Sequence, residues 1–130
     1  MPKTTVVFFK DADGGVPVKE WLVSSVAARD GRALVKCKAR LKYLRDNGTE
    51  CRRPYADYLR DGIYELRVEF GGVNYRMLYF FAGHTVAVAA AGLTKEAKVP
   101  DKDIELTKRR KQLFESDPVR YSYYEQEQES

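Results

Sequence analysis

The sequence predicts an α+β fold in which an antiparallel sheet packs on helices. Three observations predict it. Two segments with helical apolar spacing come first, between residues 17 and 46. Three segments of period-two alternation follow, between residues 63 and 93, joined by glycine-bearing turns. Helices and meander are segregated along the chain, which argues against an interleaved parallel sheet.

Each element has its own signal. Residues 4–9 are rich in β-branched and aromatic side chains and read as a strand. Asp11-Ala12-Asp13-Gly14-Gly15 reads as a turn. Pro17 suits the first turn of a helix, and residues 18–28 follow with Trp21, Leu22 and Val26 on one face. Asp30-Gly31 breaks that helix. A second is predicted over residues 32–46, with Leu34, Cys37, Leu41 and Leu44 as its apolar stripe and Asn47-Gly48 as its stop. A polar loop containing Pro54 comes next. Residues 63–70, 73–81 and 85–93 then read as strands, with Gly71-Gly72 and Ala82-Gly83 as hairpin turns. Pro100 precedes a last helix over residues 101–115, anchored by Ile104, Leu106 and Leu113. Residues 1–115 are expected to form one domain. Residues 116–130 are expected to be a mobile tail, or to fold back only through Tyr121, Tyr123 and Tyr124.

Composition narrows the partners. The chain has 130 residues, 44% of them hydrophobic, which suits one ordinary core. Its longest apolar run, residues 85–93, falls far short of the roughly 20 residues of a spanning helix, so no membrane partner is expected. The N-terminus leads straight into a strand without a signal-peptide cleavage site, so a cytoplasmic location is expected. Two cysteines are too few for a disulfide framework, and Cys37 is expected as a buried thiol and Cys51 as a loop thiol. Net charge is +4; the last six residues hold three acids and no base, so without them 19 acids fall to 16 against 23 bases, or +7. Such an excess suggests a polyanionic partner.

The central hairpin can be put in register from its turn. With Gly71-Gly72 as a two-residue loop, Val68 faces Tyr75, Leu66 faces Met77 and Tyr64 faces Tyr79. That apolar face is expected against the helices. The other, exposed face pairs Glu69 with Asn74, Arg67 with Arg76 and Glu65 with Leu78. Like charges placed directly opposite destabilise a sheet, unless an anion joins them. With Ala82-Gly83 as the next turn, Phe81 faces His84, Arg76 faces Ala89, and Ala87, Ala89 and Ala91 make a shallow floor on the arginine face. Lys95 and Lys98 follow at the sheet edge, so four cations converge on one concave surface. The alternative is a solvated face, with Arg67 paired to Glu65 or Glu69 and Arg76 to Glu69. The basic helix carrying Lys36 and Arg40 likewise reads either as a solvated face or as further phosphate contacts.

Four blocks give a family resemblance: Pro17-Val18-Lys19-Glu20-Trp21-Leu22, Asp61-Gly62-Ile63-Tyr64-Glu65-Leu66-Arg67, Tyr75-Arg76-Met77-Leu78-Tyr79-Phe80, and Gly92-Leu93-Thr94-Lys95 ending at Pro100. Their order and spacing resemble the phage-derived HigB-like branch of the RelE/ParE toxin superfamily, over residues 6–114. The resemblance implies a RelE-like fold, with an N-terminal strand and a C-terminal meander backed by two N-terminal helices and a further helix near the C-terminus. It implies the toxin of a type II toxin–antitoxin pair, a ribosome-dependent endoribonuclease that cuts messenger RNA and is neutralised by a cognate antitoxin. DNA is then expected only through an antitoxin complex. Arg67, Arg76 and Lys95 match the family's motif cations. The chain departs from the motif at Glu96, Leu93 and Ala91, where a second lysine, a phenylalanine and a histidine would stand.

Cleavage of RNA at a 2′-hydroxyl needs a base, an acid and stabilisation of phosphorane charge. The single histidine, His84, falls at a turn, so no histidine pair is expected, and neither is a metal site or cofactor. Arg67 and Arg76 are read as holding the scissile phosphate, and Lys95, with Lys98, as base or further cation. A tail tyrosine, Tyr121, Tyr123 or Tyr124, either stacks on a base or donates a proton, or else packs the tail onto the sheet. Two other readings stand beside this one: a ParE-like toxin that poisons gyrase, and a non-catalytic member of the fold that binds RNA or protein.

Overall fold

A computed structural model describes residues 3–94 and 97–124. Its strands are β1 (Thr5–Phe9), β2 (Ala56–Arg60), β3 (Ile63–Phe70), β4 (Val73–Ala82), β5 (Val86–Thr94) and β6 (Ser122–Tyr123). The first helix, α1 (Pro17–Trp21), runs through a π-helical stretch (Leu22–Val26) into α2 (Ala27–Arg29). The others are α3 (Gly31–Asn47) and α4 (Asp101–Ser116). One six-stranded sheet has the order β2-β3-β4-β5-β1-β6. This is the predicted α+β class, and it is consistent with a RelE-like fold.

The sheet is mixed where a purely antiparallel one was expected. β1 lies parallel to β5, with Val7 opposite Val88. Thr5–Phe9 carries apolar residues on both faces, as a strand buried on both sides requires. Val7 and Phe9 enter one core and Phe8 the other.

The first core lies between the sheet and α1–α3. Cys37 and Leu44 of α3 and Leu22 and Val26 of the π-helical stretch are fully buried against Leu66, Met77 and Tyr79. Asp30 caps α3 by accepting from the Arg32 amide at 2.9 Å. The second core lies on the opposite face, which was expected to be exposed. There α4 covers Ile63, Leu78, Phe80, Ala90 and Leu93. Its inward residues are Ile104, Thr107 and Phe114; Leu106 is half-buried and Leu113 is exposed, unlike the predicted stripe. Thr107 fits inside because its hydroxyl donates to the Asp103 carbonyl at 2.8 Å. Arg60 pairs with Asp61, Asp101 and Glu105, and Lys108 with Asp61 and Glu105, tying α4 to the β2–β3 turn.

β2 replaces part of the predicted polar loop, pairing Ala56 with Leu66 and Tyr58 with Tyr64. Its charged outer residues and its register shift after Tyr58 are typical of an edge strand, and they hide it from period-two reading. At the far edge β6 pairs with β1, and Tyr121 is buried against Phe9.

Burial pushes the thiols of Cys37 and Cys51 up to about 11. Neither should react with Ellman's reagent at pH 8 in the folded protein, and both should react once it is denatured. Prompt native reaction of Cys37 would contradict the packing of α3.

Candidate nucleic-acid interface

The predicted register of the β3–β4 hairpin is the observed one. Gly71 and Gly72 have φ of +60° and +77°, which a glycine pair adopts without strain, and the loop is held to two residues. Arg67 therefore faces Arg76, Glu69 faces Asn74 and Glu65 faces Leu78.

The next register differs. The loop is Gly83-His84-Thr85, Ala82 pairs with Val86, and a bulge falls after Leu78. Arg76 thus faces Leu93 in place of Ala89. Ala87 and Ala89 lie in the core under α1–α3, and of the three alanines only Ala91 shares the arginine face.

The two arginines sit in different environments. Arg76 is 7% exposed, beside Glu65 at 5%, with Nη1 3.4 Å from Oε1. Burial pushes the Glu65 carboxyl above its usual range, and Arg76 and then Arg67 oppose that shift. Arg76 was expected to be exposed; the second core and the Glu65 pair enclose it. Arg67 is half-buried and has no ion-pair partner among the described residues. Its main chain is fixed on both sides: the amide donates to the Tyr55 carbonyl at 2.8 Å, and the carbonyl accepts from Arg40 Nη1 at 2.6 Å.

A cleft of about 330 Å³ opens here, lined among others by Arg40, Tyr55, Arg67, Glu69, Asn74 and Arg76. Three guanidinium groups and one exposed carboxylate, Glu69, thus border one concavity. Arg76 is already paired with Glu65 and Arg40 with the Arg67 carbonyl, so the fork of donors at Arg67 is the one placed to take an anion that presents several oxygens, with the other two cations beside it.

A model of the family described as phage derived protein Gp49-like (DUF891) matches residues 27–112. The chain belongs to this Gp49-like family. The family lies in the RelE/HigB-like group of toxin–antitoxin toxins, which suggests a cognate antitoxin as partner. No curated protein matches the chain. The matched part of the Gp49-like chain carries the whole cleft, and Tyr123 and Tyr124 lie outside it.

The remaining candidate residues are dispersed in this Gp49-like fold. Lys95 lies outside the described residues. Lys98 is exposed and does not line the cleft. Lys36 is exposed, one turn before Arg40 on α3, and does not line it either. Tyr123 accepts a hydrogen bond from Lys19 at the β6 edge, four strands from β3, and Tyr124 is exposed beyond it. His84 is exposed in the β4–β5 turn. Among the described residues no group of three His, Cys, Asp or Glu side chains is placed to hold a metal ion, and no helix is long and apolar enough to cross a membrane.

Sequence reading missed Tyr55 and the burial of Glu65. Tyr55 sits in the segment taken for a polar loop. Glu65 was placed on the correct face, but only the cover of α4 makes that face an interior.

Proposed function

We propose that this chain is the HigB-like toxin of a type II toxin–antitoxin pair and an endoribonuclease that cuts messenger RNA on the ribosome. The observation that carries this reading is the opposed pair Arg67 and Arg76 bordering a cleft that a phosphodiester can enter. Arg67, which has no ion-pair partner among the described residues, takes the non-bridging oxygens of the scissile phosphate. Arg76, held by Glu65, presents a fixed guanidinium beside it. As the 2′-oxygen gives up its proton to the base and bonds to phosphorus, the bond from phosphorus to the 5′-oxygen breaks. This leaves a 2′,3′-cyclic phosphate and a 5′-oxygen that takes a proton from water. Negative charge grows on the phosphorane between these events, and the pre-placed donors stabilise it more than they stabilise the ground state. Lys95 is assigned the base or a further cation, with Lys98 near it in sequence. The ribosome supplies the orientation of the strand, which spares the toxin an elaborate acid–base apparatus.

Purified protein added to a translation reaction should produce new message ends, mapped by primer extension, while gyrase supercoiling of a plasmid proceeds normally. An unchanged message together with blocked supercoiling would replace this reading by the gyrase one.

A further inference from the structure

Phosphate binding leaves one feature of the cleft unused. Tyr55 is 43% exposed, yet its ring is held firmly. The Arg40 guanidinium lies 4.0 Å over the ring centre, and Tyr43 meets it edge-on with centroids 5.2 Å apart. The main chain is held as well, since Tyr55 donates to the Arg52 carbonyl at 3.1 Å and accepts from the Arg67 amide. Ordering an exposed aromatic costs conformational entropy, and the ring completes neither core. It does border the cleft that holds Arg67, from the turn just before β2.

From this geometry we infer that Tyr55, with Arg40 stacked on it, is the platform for one unpaired nucleobase next to the phosphate at Arg67. This rests on the RNA reading above and gives it a subsite. An aromatic ring or a guanidinium plane accepts any base face, and such stacking is worth about 1–3 kcal/mol per base. Only single-stranded RNA can splay a base onto it, because a duplex keeps its bases stacked. Asn74 and Glu69 face each other on the same cleft and supply a donor and acceptors for the base edge.

The test uses 2′-O-methyl RNA oligomers of about six nucleotides, which bind without being cleaved, and abasic versions of them. Affinities are measured by fluorescence anisotropy for wild type, Tyr55→Phe and Tyr55→Leu. Wild type and Tyr55→Phe should bind alike. Tyr55→Leu should bind about tenfold more weakly, and the abasic oligomer should erase that difference. Equal binding of intact and abasic oligomers by wild type would overturn the inference, and that result needs no variant to fold. So would a Leu defect of the same size on the abasic oligomer, because the ring would then act only on the protein's shape. Loss of base dependence alongside intact ribosomal cleavage sinks the subsite alone. Base-dependent binding without cleavage sinks the nuclease and leaves the subsite standing.

Discussion

Arg76→Ala should lose about 3–5 kcal/mol of folding stability, because it leaves the buried Glu65 carboxylate without its cation. Glu65 is 5% exposed and its Oε1 makes no hydrogen bond among the described residues, so no protein donor there replaces the guanidinium. The loss should depend on pH. A folded-state value above the ordinary one, roughly 4.3, means that the folded protein keeps a proton that the unfolded chain has released. Stability then falls as pH rises from the ordinary value through the folded one. Removing Arg76 takes away the strongest opposing cation and carries the folded value higher, which widens that window. The variant should therefore lie closer to wild type in urea midpoint at pH 4 than at pH 8. Adding Glu65→Leu should recover most of the loss. A pH-independent defect, or no recovery, would mean that the pair does not hold this end of the sheet. Arg76→Ala is for the same reason a poor test of chemistry.

Gly92→Ala should cost about 3 kcal/mol. A Cβ at Gly92 would fall within the Trp21 indole, against Cδ2 and Cε3 and 2.7 Å from Cγ. The ring cannot swing aside freely, because its other neighbours include Tyr75, edge-on at a centroid distance of 6.4 Å. The strand cannot retreat easily either, since Gly92 is paired with the fully buried Met77 in the β4–β5 ladder. Urea unfolding should show a lower midpoint with an unchanged slope. Trp21→Ala combined with Gly92→Ala should cost less than the sum of the two single losses. Gly92→Ala unfolding like wild type would contradict the close approach of the first helix to β5.

What the sequence made legible follows the physics of short-range constraints. Gly71-Gly72 admits one loop length, so the hairpin register and the Arg67–Arg76 pair could be read directly. The β4–β5 connection was not legible, because Gly83-His84-Thr85 is a three-residue loop and a bulge after Leu78 moves every later partner. The stripe of α3 was legible, since Cys37 and Leu44 repeat with helical spacing. The buried face of α4 was not: its central inward residue, Thr107, is polar and satisfied by its own backbone. That one error left the arginine face looking open and the Glu65–Arg76 pair unseen. Tyr55 was hidden because it lies in the turn just before β2, within a polar segment that carries no period-two signal.

Arg67 isolates the chemistry from the fold, being half-buried and without an ion-pair partner among the described residues. The decisive measurement is single-turnover cleavage of a ribosome-bound message by wild type and by Arg67→Ala, with thermal unfolding of both proteins recorded alongside. The variant should melt close to wild type and cleave at least about 100-fold more slowly, the loss expected when one donor to a developing oxyanion is removed. Equal cleavage rates from two equally folded proteins would contradict a phosphate held at Arg67.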